Sequence, residues 1–356
     1  MLAPSVGRRS TTARSMPRSV LVIGAQGFLG SFIARALAAE GWRVTRGGRR
    51  PESGGDFRLV DLDRPASVRD ACGGVDMVVS TVRHPGLAAE RIVLCEGGTL
   101  LHLDDLPAAE RCRLKGEMAA PRGLVVDRSG VVGVAALALV ELLEQHPEAD
   151  TVEYGFLLSA AEAGGRAGGA FVHRLLGGRA RHPTARFELP NPFGRRRCIE
   201  AGPAVERLLR EAVGAQTAHL YVCFLPAALN AAMLALNSLG LASRLPLAVF
   251  TGRRRSVPAE PSRQPTCHWV SIRQAGDLVA SRFVLGEGDY RMTVAATAVF
   301  AEALIAQAGS RKGVFGAEEV LTLAPLAPAL AARGIRIAAG SGVGVRPTPP
   351  VSGYAR

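Results

Sequence analysis

Residues 20–30, reading VLVIGAQGFLG, constrain this chain more than any other stretch. Val20 to Ile23 are four aliphatic residues in a row, the pattern of a strand buried on both faces. Three glycines follow at Gly24, Gly27 and Gly30. Glycines so placed turn the chain tightly, let a pyrophosphate approach the backbone and let a helix pack close to the sheet. Phe28, Phe32, Ile33, Ala36 and Leu37 then recur at helical spacing. A strand, a glycine loop and a helix in this order aim unpaired helix N–H groups at a phosphate, so the segment reads as the opening of a dinucleotide-binding, Rossmann-type domain. Its candidate cofactor contacts are Gly24, Gln26, Gly27, Phe28, Leu29 and Gly30.

The next 100 residues alternate strands with helices, which implies a parallel sheet with right-handed crossovers and helices on both faces. Strands are expected at Arg43 to Arg46, Phe57 to Leu62, Asp76 to Thr81, Thr99 to Leu103 and Gly123 to Asp127. After the strand at Arg43 to Arg46, the second of the domain, an NAD-preferring domain carries an acidic residue for the ribose 2′-hydroxyl, whereas this chain reads Gly47-Gly48-Arg49-Arg50. Paired guanidinium groups suit a 2′-phosphate, so Arg49 and Arg50 point to NADP(H). Asp61 ends the third strand within reach of an adenine edge, and Ser80 and Thr81 end the fourth beside the nicotinamide ribose.

From Val131 the pattern changes to an α+β domain with a mostly antiparallel sheet. Helices are expected over Val134 to Leu143, a short stretch through His173 to Leu176, and Pro203 to Val213, with the glycine-rich run Gly164 to Gly169 as a loop. Strands are expected over Thr151 to Ser159, Arg186 to Leu189, Arg197 to Glu200 and Ala218 to Phe224, with a hairpin around Ala275-Gly276-Asp277. No charged residue falls between His219 and Arg244. Pro226, Asn230, Asn237, Ser238 and Ser243 disfavour lipid, so residues 220–243 read as a buried or dimer-forming helix before they read as a membrane-surface segment. Long helices over Tyr290 to Ala308 and Leu326 to Ala332 follow. The expected organisation is a tail or mis-assigned start at 1–16, a cofactor domain at 17–130, a substrate and dimer domain at 131–288, C-terminal helices at 289–340 and a tail at 341–356.

The formal charge of +12 does not point to nucleic acid, because the arginines are scattered and no aromatic residues interleave them as stacking platforms. The only lysines are Lys115 and Lys312. Six cysteines lie far apart without a C-x-x-C pair, which suits reduced thiols of a cytoplasmic protein and gives no metal site. Residues 1–16 carry three arginines and no apolar run, unlike a secretory signal.

Three stretches together resemble the saccharopine dehydrogenase-like (saccharopine reductase-like) oxidoreductases: Val20 to Gly30; Cys95-Glu96-Gly97-Gly98 with His102-Leu103-Asp104; and a C-terminal block of Tyr290 to Ala296, Gly313 to Val320 and Leu330 to Ile335. The resemblance implies a Rossmann domain, an α+β domain carrying substrate and dimer contacts, and a C-terminal segment packed back near the first domain. It also implies NAD(P)-dependent redox chemistry on a C–N bond, or on carbonyl or alkene substrates. A short-chain-dehydrogenase mechanism lacks its Tyr-x-x-x-Lys, since Leu158 stands four residues after Tyr154. His102 and Asp104 share one face of a strand and are the candidate acid–base pair. The missing acid–base signature also leaves a second expectation, a non-catalytic NADP-binding regulator or scaffold.

Overall fold

A computed structural model describes residues 18–51, 55–159, 166–177, 179–202, 217–242, 260–307 and 311–340. Two seven-stranded sheets organise them. The first sheet takes β1 (Ser19–Ile23), β2 (Arg43–Gly48), β3 (Phe57–Leu59), β4 (Met77–Ser80), β5 (Thr99–His102) and β6 (Leu124–Asp127) from the N-terminal part, and β13 (Gly313–Gly316) from the C-terminal part. Their order is β13-β6-β5-β4-β1-β2-β3, with every neighbouring pair parallel. Strands β1, β4, β5 and β6 are buried at every residue, as a parallel sheet covered on both faces requires. Helices α2 (Pro65–Cys72), α3 (Ala88–Glu96) and α4 (Ala108–Glu117) cover one face through Val68, Leu94 and Leu114. Helix α1 (Phe28–Ala39) and α5 (Val131–Gln145) cover the other through Ile33, Leu37 and Val134.

The second sheet contains β7 (Thr151–Ser159), β8 (Thr184–Leu189), β9 (Gly194–Glu200), β10 (Thr217–Leu225), β11 (Pro265–Gln274), β12 (Asp277–Glu287) and β14 (Arg336–Ala339). Its order is β14-β12-β11-β7-β10-β9-β8, antiparallel except where β7 meets β10. Helix α8 (Asp289–Ala306) joins α5 between the sheets, so Val22 and Val126 of the first sheet share one apolar core with Val222 and Val270 of the second. The remaining helices are α6 (Arg166–Leu175), α7 (Ala227–Ser238), α9 (Ala317–Val320) and α10 (Leu323–Ala332).

Several elements differ from expectation for definable reasons. β2 continues through Gly47 and Gly48 because the Gly47 carbonyl accepts from the Gly24 and Ala25 N–H groups at 3.0 and 3.2 Å and the Gly48 carbonyl from Val60 at 2.9 Å. β3 stops at Leu59, which leaves Asp61 in the turn before α2. Helix α4 buries only Leu114 and so carries almost no apolar period to read. The glycine run expected as a loop is helical from Arg166, where α6 begins, and residues 160–165 lie outside the described residues. The expected helix at Pro203 to Val213 also lies outside them, as do both terminal tails.

Of the apolar segment 220–243, the described residues 220–242 form not one helix but the end of β10, a turn at Pro226 and α7. Asn230 and Asn237 do share a face, and it points inward. Asn230 accepts from the Phe224 N–H at 3.0 Å and donates to the Arg197 carbonyl at 3.0 Å, while Asn237 brackets His182 through its N–H and carbonyl, both at 2.8 Å. Among the described residues, no helix is long and apolar enough to cross a membrane. The C-terminal part contributes not helices alone but also β13 and β14, one strand to each sheet.

Candidate functional site

The strand order reverses between β1 and β4, and the glycine loop leaves β1 at that point. Crevices at the carboxyl ends of such strands are where ligands bind. Gly24 has φ +82, and a Cβ on it would stand 2.5 Å from Thr81 Oγ1. A Cβ on Gly30 would stand 2.2 Å from the Gly24 carbonyl oxygen. One on Gly27 would meet only that same oxygen, at 3.1 Å, so its bareness matters on the outer side. Gln26 and Gly27 are exposed, Phe28 and Leu29 half-buried. Helix α1 starts at Gly27 with no side-chain cap and no acid in its first turn. The first-turn N–H groups therefore face outward with positive partial charge, a cradle that fits a phosphate.

Gln26 crosses from this loop to the end of β2. Its Nε2 donates to the Arg50 carbonyl at 2.8 Å, passing over Gly48, where a Cβ would stand 2.4 Å from Gln26 Oε1. Arg46 Nη2 donates to the Ala25 carbonyl at 3.3 Å from the same side. Arg49 and Arg50 follow, both exposed at the carboxyl end of β2, and neither meets a carboxylate among the described residues. Asp61 reaches the same edge of the sheet but is occupied in its own turn, accepting from the Asp63 N–H at 3.2 Å and pairing with Arg64 at 3.5 Å.

Ser80 is buried and donates to the Val82 carbonyl at 2.9 Å, which shapes the turn after β4. Thr81 Oγ1 donates to the Ile23 carbonyl at 3.1 Å and fastens that turn to the glycine loop. Both residues build the crevice floor, with exposed Val82 beyond them.

His102 and Asp104 are close, but not as an acid and its orienting carboxylate. The His102 ring is fully buried, accepts the Asp104 backbone N–H at Nδ1 (3.2 Å), and turns Nε2 to Glu90 Oε1 of α3 at 3.3 Å. The Asp104 side chain is exposed. The strand ends at His102, so the period of two that would align these residues does not reach Asp104. Glu90 is itself buried, and nothing in its helical surroundings marked it as the histidine's partner.

At the carboxyl end of β6 the C-terminal part is clamped to the cofactor domain by charge. Arg128 binds Asp105 at 2.7 Å and forks onto Glu318 of α9. Arg111 binds Asp127 at 2.7 Å and Glu319 at 3.2 Å. Burial pushes the Asp127 carboxyl up to about 7, against the pull of the Arg128 and Arg111 guanidinium groups. Helix α8 completes the crevice wall: Tyr290 meets Phe28 edge-on at 5.2 Å, and Thr297 Oγ1 lies 2.7 Å from the Ser129 carbonyl.

Residues 20–95 match the model of the NAD dependent epimerase/dehydratase family. The apo saccharopine dehydrogenase (L-Glu forming) from Saccharomyces cerevisiae overlays 91% of this chain and 100% of its own, with a TM-score of 0.59 and 11% identity. The chain has the saccharopine dehydrogenase fold. Two partial overlays are serine dehydrogenase from Escherichia coli, covering 31% of this chain and 79% of its own at 18% identity and TM-score 0.24, and uronate dehydrogenase from Agrobacterium tumefaciens, covering 26% and 45% at 22% identity and TM-score 0.22. No curated protein sequence matches the chain. Within that fold, the first sheet carries the crevice at the glycine loop, and the C-terminal strands β13 and β14 add one strand to each sheet.

Proposed function

We propose that this protein is an NADP(H)-dependent oxidoreductase acting on a C–N, carbonyl or alkene group of a small molecule. The observation that carries the cofactor choice is the Arg49–Arg50 pair, exposed at the end of β2 and held beside the glycine loop by the Gln26 bond to the Arg50 carbonyl. Gln26, Gly27 and the first turn of α1 receive the pyrophosphate, and the two guanidinium groups receive a 2′-phosphate. When bound, the nicotinamide supplies or takes the hydride. The chain must then position the substrate over it, exclude water, and move a proton to or from the substrate heteroatom. A homodimer in a cytoplasmic setting belongs to the same reading, and light scattering tests the dimer.

The test is direct. NADPH should bind the purified protein more tightly than NADH by fluorescence titration, and NADPH should be consumed with at least one of phenanthrenequinone, pyrroline or cyclohexenone. Equal affinity for the two nucleotides sinks the NADP(H) assignment. Tight NADPH binding without consumption of any of them supports the regulator or scaffold instead.

A further inference from the structure

A chain of three polar side chains crosses the wall of the crevice opposite the glycine loop. Tyr154 of β7 and His268 of β11 point to the same face of the second sheet, the face that packs on α5 and α8. The Tyr154 hydroxyl lies 2.7 Å from His268 Nδ1, and His268 Nε2 lies 2.9 Å from Asp289 Oδ1. Thr266 Oγ1 stands 3.3 Å from the same carboxylate oxygen. Phe156 flanks the imidazole at 5.7 Å between ring centroids, and Phe171 of α6 adjoins Phe156 at 6.0 Å.

The two ends of this chain differ. Tyr154 and His268 are 6% and 3% exposed, whereas the Asp289 side chain is 18% exposed. Asp289 is the first residue of α8, and the next residue, Tyr290, meets Phe28 at the start of α1. The carboxylate end thus lies at the crevice and the tyrosine end in the core. The positive end of the α8 dipole favours a carboxylate there. Three consecutive hydrogen-bonding groups in an aromatic, largely apolar wall serve no evident packing need, since apolar side chains would fill it without polar partners to satisfy.

On the reading of the protein as a reductase, we propose that Asp289 is the catalytic acid–base residue, with His268 its proton reservoir and Tyr154 the residue that positions the ring. In the reducing direction the substrate carbon gains the hydride as its double bond to oxygen or nitrogen opens, and the heteroatom takes the one proton held by the Asp289–His268 pair, relayed from the imidazolium Nε2–H through the Asp289 carboxylate. The pair is left as a carboxylate and a neutral ring, and solvent at the more exposed Asp289 end returns the proton. Oxidation runs the same transfers backwards. Tyr154 is suited to its place because a hydroxyl donates to a bare Nδ1 and accepts from a protonated one, so the ring keeps its orientation in both states. Burial and the nearby Asp289 charge hold the Tyr154 hydroxyl far above its ordinary range, which keeps it from ionising. Among the described residues, the titratable groups that reach the ring are Tyr154 from β7 and Asp289 from α8, while Cys267 points to the opposite face of β11.

The experiment compares wild type with Asp289→Asn, His268→Gln and Tyr154→Phe in the full chain. With phenanthrenequinone, pyrroline or cyclohexenone as probe, Asp289→Asn should lower kcat on the order of a hundredfold while KM and NADPH affinity stay within about twofold. Asp289→Glu should recover part of the loss. A second readout needs no turnover: the nitrogen-15 signals of the His268 ring should differ between wild type and Asp289→Asn, because Nε2 loses its carboxylate partner. A wild type that turns over a probe beside an Asp289→Asn variant of equal kcat overturns this assignment alone. Ring signals unchanged by Asp289→Asn overturn it as well. A wild type that binds NADPH yet consumes none with any probe overturns the reductase reading and this one with it.

Discussion

A Cβ on Gly30 would lie 2.2 Å from the carbonyl oxygen of Gly24, so the first turn of α1 is pressed against the end of β1. That carbonyl also accepts the Gly27 N–H at 2.8 Å, which closes the loop. Gly30→Ala must therefore push the helix outward or break this bond. The expected cost is about 1–3 kcal/mol of stability, as for overpacking elsewhere, together with loss of NADPH affinity. Urea denaturation and a fluorescence titration measure both. A variant that keeps wild-type stability and affinity shows that the helix start has slack the geometry denies.

Arg49 and Arg50 should read the 2′-phosphate. Replacing both with Glu removes two donors and sets like charges against the phosphate. Since each charge-assisted bond contributes about 1.5–3 kcal/mol, the preference for NADPH over NADH should fall tenfold or more. Separate titrations with the two nucleotides decide it, and equal weakening of both counts against the assignment.

The Asp127 carboxyl gives stability a pH dependence of definite sign. Its value is pushed up to about 7 in the folded protein, whereas an unfolded chain returns it to about 4. Between these values the folded state holds the proton and the unfolded state does not. The stabilisation from this group is complete below about pH 4 and is lost as pH rises through about 7, with a slope of at most about 1.4 kcal/mol per unit. Urea midpoints across that window should show the slope in wild type and lose it in Asp127→Asn. Parallel curves for the two proteins would mean that Asp127 is ionised in the fold throughout.

The Arg128 fork on Glu318 should hold the C-terminal part to the cofactor domain. Both side chains are buried, 4% and 5% exposed. Arg128→Met leaves the buried Glu318 carboxylate without its cation, and breaking a buried pair from one side costs about 3–5 kcal/mol. Thermal unfolding of Arg128→Met, beside an Arg128→Met/Glu318→Leu double variant, checks this. The double variant should regain much of the loss, and failure of the single variant to lower the melting temperature refutes the clamp.

The glycine-loop side of the crevice was readable because its physics is local. A glycine that turns the chain, one left bare on its outer side and one that a helix packs against must fall within a few residues of one strand, so Gly24, Gly27 and Gly30 announce themselves in order. The alternation of apolar strands and amphipathic helices likewise fixed the parallel sheet, since strands buried on both faces have no other composition open to them. Where the local signal was mistaken, the ends of elements were at fault: β5 stopping at His102 separated that ring from the Asp104 carboxylate, and β3 stopping at Leu59 left Asp61 to its own turn.

The other side of the crevice was decided by tertiary structure alone. His268 reaches Tyr154 across 114 positions of sequence and Asp289 across 21, Arg128 reaches Glu318 across 190, and Glu90 faces His102 only because α3 lies over β5. No periodicity within a segment encodes such pairs. They exist because the sheet register sets one strand beside another and because a C-terminal segment returns to add one strand to each sheet, which closes the core over groups that are unremarkable in the sequence. The sequence by itself determined the strand, glycine loop and helix start that form one side of the crevice, because those contacts are local. Only the packing of the two sheets determined which side chains meet on the other side, because those contacts join segments far apart in the chain.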